Sequence, residues 1–246
     1  MKNLIVDIGN TRVKYALMRG RELIASAGSA DFDLQVAKEL LAQSDEAVRW
    51  AVLCSTRSDG RCEVRELERL GLQPLLFDAD CPVPLGNDYL TPHTLGRDRL
   101  AAAVGADLLY GDRPLLIVDF GTAITCDVVS EHTFRGGFIS PGRRMRLRAL
   151  HDYTARLPLV EPATELLPWG RTTEEALAQG VEQGILGEVE GHIARFREKF
   201  GDLLIIFAGG EAKHFAKQIK NAIFADCDLV LVGLNRILEY HIHAEK

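Results

Sequence analysis

Residues 4–12 read LIVDIGNTR, and residues 115–123 read LLIVDFGTA. In both, an apolar run of strand length leads into an aspartate, and a glycine and a hydroxyl follow. The glycine lets the backbone turn sharply and lie close to a ligand. Successive turn amides form a concavity that attracts anions. A carboxylate beside such a cradle repels phosphate unless a cation lies between them. Asp7, Gly9, Asn10 and Thr11 in one copy, and Asp119, Gly121 and Thr122 in the other, are the pattern of a nucleotide-phosphate site built from two related halves. One copy alone reads equally well as a plain strand and turn. Two copies, each heading a similar stretch, point to a duplication.

Working outward, the first half predicts strands at 3–8, 13–18 and 22–28, and a helix at 33–43 through Leu34, Ala37, Leu40 and Leu41. A strand at 50–55, a helix at 61–70 and a strand at 74–77 follow. After the turn-rich 78–92, an Ala-rich helix runs from Leu95 to Leu109 and stops at Gly111-Asp112. The second half predicts strands at 115–120, 123–130 and 133–140, then helices at about 143–152 and 172–199. A strand at 203–210 runs into Gly209-Gly210, where a strand–helix turn suits either tight packing or a phosphate. A helix at 211–220, the apolar DLVLVG at 228–233 as a further strand, and a last helix complete it. Three strands followed by α-β-α recur, so the expectation is a duplicated α/β chain with halves 1–112 and 113–246.

Composition narrows the classes. With 47% hydrophobic and 26% charged residues among 246, the chain reads as an ordinary globular protein. No apolar run approaches the roughly 20 residues of a membrane span, and Asp7 cuts the N-terminal apolar run too short for a secretory signal. The expectation is a cytoplasmic protein without a membrane partner. A net charge of −6 argues against nucleic acid as a partner. The five cysteines, Cys54, Cys62, Cys81, Cys126 and Cys227, form no C-x-x-C pair, which argues against a disulfide framework or a cysteine zinc site. The seven histidines form no metal-ligand spacing. P-loop, dinucleotide and G-x-S-x-G signatures are missing. Arg143, Arg144, Arg146 and Arg148 crowd into GRRMRLRAL, which suits a solvated helix face, an anion contact or a subunit interface.

The stretches VDIGNTRVK, LGRDRLAA, VDFGTAIT, GGFISPG, TTEEALAQG, AGGEA and DLVLVGLNRILEY occur in this order over nearly the whole chain. Together they resemble the type III pantothenate kinases. The resemblance implies an α/β, duplicated actin-like (ribonuclease H-like) ATPase fold, with two β-β-β-α-β-α-type halves around a central cleft. It implies ATP-dependent phosphorylation of pantothenate to 4′-phosphopantothenate, the first step of coenzyme A biosynthesis, and a homodimer. In GRDR at 96–99 it makes Asp98 the general base, able to take the proton of an attacking primary hydroxyl. It assigns ATP and Mg²⁺ to the loop Asp7, Ile8, Gly9, Asn10, Thr11, Arg12, Val13 and Lys14, with Thr122 as a further ATP contact. Asp119 becomes the ligand of a monovalent cation, K⁺ or NH₄⁺. Tyr89, Gly96, Arg97, Asp98, Arg99 and Thr173 become the pantothenate contacts, with Thr172 as second choice for Thr173. Without the resemblance, Asp98 reads as an aspartate favoured by a helix N-terminus, and TTEEA as a capping box. Two other functions fit the same residues. One is a non-catalytic, nucleotide-binding regulator of the Bvg accessory factor type, and the other a sugar kinase on the same fold. Retention of Asp7, Asp98, Asp119 and Thr122 favours the enzyme.

Overall fold

The computed structural model describes residues 1–219, 223–224 and 228–244. The chain runs β1 (Asn3–Ile8), β2 (Val13–Arg19), β3 (Glu22–Ser29), α1 (Leu34–Ala42), β4 (Trp50–Ser55), α2 (Arg61–Arg69) and β5 (Gln73–Leu76). A two-residue strand β6 (Gly86–Asn87) and a 3-10 turn at Pro92–Thr94 lead to α3 (Arg97–Tyr110). Then follow β7 (Leu115–Phe120), β8 (Ala123–Ser130), β9 (Thr133–Pro141), α4 (Arg143–Asp152), α5 (Thr173–Phe200), β10 (Leu204–Ala208), α6 (Ala212–Ala216), β11 (Ile223–Phe224) and α7 (Leu229–Ala244).

Two sheets repeat one topology. The first has the order β3-β2-β1-β4-β5, and the second contains β9-β8-β7-β10-β11. In each, the strand that ends in the Asp-x-Gly turn is central. β1 runs antiparallel to β2 and parallel to β4, and β7 runs parallel to β10. The duplicated α/β architecture expected from the repeated phrase is present.

Contacts divide the chain into two compact units. The first holds Met1–Asp112, Val129–Gly136 and the described part of Cys227–Lys246. All six residues of β1 are buried, which suits a central strand covered on both faces. Each buried Leu, Ile or Val there contributes about 1.5–3 kcal/mol relative to exposure. The core joins Leu4, Val6, Ile8, Val13, Tyr15 and Leu17 to Ala37, Leu40, Leu53 and Leu67. α7 packs on α3, β1 and β4. A Cβ on Gly105 would strike Leu229 O, and one on Gly233 would strike Ala101 O, so the two glycines let the α3 and α7 backbones touch.

The stretch 228–233 is therefore not the strand its apolar run predicted but the start of α7. Asp228 accepts from Val230 N at 3.2 Å and Leu231 N at 3.4 Å, as an N-cap does. Helix α7 is buried on nearly all sides, which erases the alternation that separates helix from strand. Strand β6 was not predicted, and it pairs with Thr133 and Phe134 of β9 within the first unit. The turn before β9 places Glu131 and His132 at φ 53° and 52°, the geometry of a type I′ hairpin without its usual glycine.

The second unit holds Arg113–Val128 and the described part of Gly137–Asp226. Leu177, Val181, Ile185, Val189 and Ile193 recur every fourth residue on α5 and pack against Leu116, Val118, Ile124 and Ile205. Thr172 caps α5, with Oγ1 accepting from Glu175 N at 3.1 Å, while Glu175 accepts from Arg171 N at 2.7 Å. This is a capping box shifted by one amide. Predicted helix 211–220 is shorter, Ala212–Ala216, and its residue 220 lies outside the described residues. Cys54, Cys62, Cys81 and Cys126 form no disulfide; Cys227 lies outside the described residues. Among the described residues no helix is long and apolar enough to cross a membrane.

Candidate active site

In the first unit, β1 delivers Asp7 to the mouth of the β1–β2 hairpin, where it stands opposite Lys14 and beside Cys54 in the sheet register. Asp7 is 6% exposed. Gly9 N donates to Arg12 O at 3.1 Å and closes the turn. Asn10, Thr11 and Arg12 are exposed, whereas Ile8 and Val13 are core side chains whose backbone alone is left for a ligand. The Arg12 guanidinium lies over Gly28, where any Cβ would collide with it. Lys14 is paired with Asp228 at 2.5 Å, the same aspartate that caps α7.

GRDR forms the start of α3 in the same unit. Gly96 is the N-cap and Asp98 lies in the first turn. Asp98 Oδ1 accepts from Arg99 N at 2.9 Å, at a helix N-terminus that favours negative charge. A Cβ on Gly96 would come 2.6 Å from Asp98 Oδ1, so the glycine makes room for the carboxylate. Cys54 reports how these pieces meet. Burial pushes its thiol pKa well up, and the charges of Asp7 and then Asp98 push it further. Asp7 is the neighbour of Cys54 in the sheet register, and α3, which carries Asp98, packs against β4.

The two arginines of GRDR differ. Arg97 spends its guanidinium on carbonyls: Leu95 O at 3.0 and 2.7 Å, Pro92 O at 2.5 Å and Asp78 O at 3.3 Å. Its charge also lies 5.9 Å from the Phe77 ring, and burial holds its pKa below the usual arginine value. Arg99 is 7% exposed and lies 5.9 Å from the Tyr89 ring and 5.8 Å from Phe134. Tyr89 is itself fixed by β6, by a 6.1 Å ring contact with Phe134, and by the Arg135–Asp88 pair at 2.6 Å next to it. The structure therefore sets Arg99 between Asp98 and the Tyr89 ring, and it gives Arg97 a bracing place.

In the second unit, Asp119 ends β7 opposite Ala208 of β10. A Cβ on Gly209, at φ 89°, would come 2.6 Å from Asp119 Oδ1 and 2.7 Å from Phe120 N and O. A Cβ on Gly142 would come 2.5 Å from Gly121 O and 2.6 Å from Thr122 O. Glu211 N donates to Phe120 O at 3.2 Å, and Gly142 N to Thr122 O at 3.0 Å. Asp119, the Thr122 turn, Gly142 and the Gly209 turn thus lie closely together and present a carboxylate and carbonyl oxygens, hard donors of the kind a cation takes. Among the described residues no three His, Cys, Asp or Glu side chains cluster to hold a metal. Thr173 begins α5 in this unit and is exposed.

The arginine cluster divides. Arg143 is 7% exposed and pairs with Glu182 at 2.9 Å and Glu211 at 3.2 Å, so it is no solvated residue. Arg144 pairs with Glu161, Arg146 with Glu188 and Arg148 with Asp152. Arg57, which no motif picked out, follows β4 and donates from Nε to Gly9 O at 2.5 Å.

Residues 3–195 match the family described as type III pantothenate kinase. A type III pantothenate kinase of Bacteroides fragilis is 40% identical over 240 residues, covering 97% of this chain and 98% of the relative. Among solved structures, a protein from Campylobacter jejuni described as a Baf family transcriptional activator aligns with TM-score 0.63 at 20% identity, over 98% of this chain and 99% of that one. A ROK family glucokinase from Streptomyces griseus aligns with TM-score 0.56 at 13% identity, over 98% and 100%. Those two likenesses establish the fold, and the sequence match establishes the rest: this chain belongs to the type III pantothenate kinase family.

Proposed function

We propose that the chain transfers the γ-phosphoryl group of ATP to the primary hydroxyl of pantothenate, giving 4′-phosphopantothenate and ADP, with Asp98 as general base. The observation that carries this reading is the family match over residues 3–195, with Asp7 at the end of β1 and Asp98 in the first turn of α3. Asp98 Oδ1 is engaged by the Arg99 amide, so Oδ2 takes the proton as the hydroxyl oxygen attacks phosphorus. A carboxylate in that role is worth about 10²–10⁴-fold. Arg99, beside Tyr89, is the arginine that meets pantothenate. Arg97 shapes the loop beneath it. For Thr173 the proposal rests on its motif.

The exposed Gly9–Arg12 turn would cradle the ATP phosphates, with Asp7 holding Mg²⁺ through them. Asp119 would hold K⁺ or NH₄⁺, and Thr122 would contact ATP. Held there, such cations would supply positive charge that favours phosphoryl transfer. Halves 1–112 and 113–246 are read as the two repeats of the duplication. A cytoplasmic homodimer, with no membrane or nucleic-acid partner, belongs to the same reading. A non-catalytic regulator is not favoured, because Asp7, Asp98 and Asp119 are all retained in their motifs.

The test is a coupled assay of ADP release with pantothenate or glucose, with and without K⁺ or NH₄⁺. Pantothenate-dependent release is expected, and Asp98→Asn should lower kcat by about 10²–10⁴-fold. No pantothenate-dependent release with either cation overturns the reading. A variant rate within a few-fold of wild type removes Asp98 as base.

A further inference from the structure

Arg57 lies outside every motif that points to the reaction. It follows β4 in Ser55-Thr56-Arg57-Ser58, where Ser55 Oγ accepts from Arg57 N at 3.3 Å and from Ser58 N at 3.1 Å. We infer that Arg57 is the positioning residue of the first phosphate turn, acting by holding the Gly9 carbonyl; the inference rests on reading Gly9–Arg12 as the ATP phosphate loop.

One guanidinium ties three segments. Nε donates to Gly9 O at 2.5 Å, one terminal nitrogen to Asp31 Oδ1 at 2.8 Å, and the other to Ala30 O at 3.0 Å. The fork is planar and rigid, so its Ala30 and Asp31 anchors fix where Nε points. A trans peptide is also planar, with its carbonyl and the next amide N–H opposed. Holding the Gly9 carbonyl toward Arg57 therefore aims the Asn10 N–H the other way. The preceding amide, Gly9 N–H, is already used within the turn by Arg12 O. Asn10 N–H is thus the first amide of the turn that can serve a phosphate. Glycine backbone rotates more freely than any other, so this peptide is the one that needs a latch. Thr56 adds a second tie one residue earlier, with N and Oγ1 donating to Ile8 O at 2.9 and 3.1 Å.

The latch is geometric. Asp31 is 89% exposed and the Arg57 side chain 26%, and an ion pair so open to water adds little stability. Removing Arg57 should therefore alter ATP binding far more than folding.

The experiment is steady-state kinetics of the purified enzyme with ATP and pantothenate varied separately, together with thermal unfolding. Arg57→Ala should raise the KM for ATP on the order of tenfold. The KM for pantothenate should stay within about twofold, and the unfolding midpoint within a few degrees. Arg57→Lys keeps the charge but not the fork and should recover only part of the loss. Asp31→Ala removes one anchor without touching the turn, and should shift the KM for ATP the same way by a smaller factor. It keeps the inference testable if Arg57→Ala fails to fold. Asp7→Asn serves as the control on the loop reading. If Asp7→Asn weakens ATP use while Arg57→Ala and Asp31→Ala leave the KM for ATP unchanged, the latch is wrong and the loop reading stands. If none of the three changes ATP use, both fall. Equal rises in both KM values would make Arg57 a general structural residue and overturn the inference.

Discussion

The turn at Gly9 lies open. Asn10, Thr11 and Arg12 are exposed, and the latch residue Arg57 pairs with an aspartate that is 89% exposed. The turn at Gly121 stands in a different setting. Glu211, whose amide holds Phe120 O, is gripped by Arg143, and Arg143 also pairs with Glu182, which is 1% exposed. His214 and Gln218 share that same Glu182 carboxylate. Both turns end the central strand of one repeated topology, and both are braced by an arginine outside the motif. One brace lies at the surface and the other in the core. The repeat therefore encodes where each carboxylate stands, while burial decides whether its brace bears on geometry alone or on the stability of the fold.

The largest expected effect tests that division directly. Arg143→Ala removes the guanidinium from a buried pair and leaves Glu182 to His214 and Gln218 alone, which should cost about 3 kcal/mol in denaturant unfolding. Arg57→Ala should cost less than about 1 kcal/mol in the same measurement. Similar losses from the two variants would break the comparison.

A smaller contrast lies in the glycines. Gly209 stands at φ 89°, and a Cβ there would press 2.7 Å from the Phe120 backbone, which cannot swing aside. Gly209→Ala should cost about 1–3 kcal/mol from backbone strain, with collision added to it. Gly9 has no positive φ, and its Cβ would meet only Arg12 O at 3.3 Å. Gly9→Ala should therefore cost less, read as the difference between two thermal midpoints. A reversed order would mean that the first turn, not the second, is the more tightly constrained.

Much of this was legible in the sequence because it is local. Asp7 and Asp119 follow apolar strands, and Asp98 opens a helix; such signals need only neighbouring residues. The succession of strands and helices in the first half followed from the same short-range pattern. What escaped depends on distant partners. Arg57 reaches Gly9 and Asp31, Arg143 reaches Glu182 and Glu211, and Arg135 reaches Asp88. None of these spacings carries a period. The error at 228–233 has the same root, since an apolar run buried against α3, β1 and β4 shows no polar face to reveal its helical turn. GRDR shows the limit most clearly: Arg97 and Arg99 flank Asp98 equally in sequence, and only the fold sends one to carbonyls and the other to Tyr89.

The smallest effect concerns acid. In the second unit, burial raises the Glu188 pKa, but hydrogen bonds from Ser140 and Arg146 outweigh it and leave it below the usual value. His192, stacked on Phe138 at 4.5 Å, has its pKa lowered by burial, against the opposing pull of Glu188. For both groups the unfolded chain binds protons more readily than the folded one, so acid draws each toward unfolding. The contribution of Glu188 is present above the ordinary carboxylate pKa of about 4.3 and fades as pH falls from there toward its lower folded value. That of His192 begins to fade earlier, below about 6.5. Both side chains are partly exposed, so each effect should stay under about 1 kcal/mol. Thermal midpoints taken from pH 7.5 to 3 should therefore show His192→Gln flattening the upper part of the acid limb and Glu188→Gln the lower part. If Glu188→Gln instead changes the midpoint equally at pH 7 and pH 3, the Ser140–Arg146–Glu188 contacts hold no charge that folding favours, and surface pairing in this unit is as weak as that of Arg57 and Asp31.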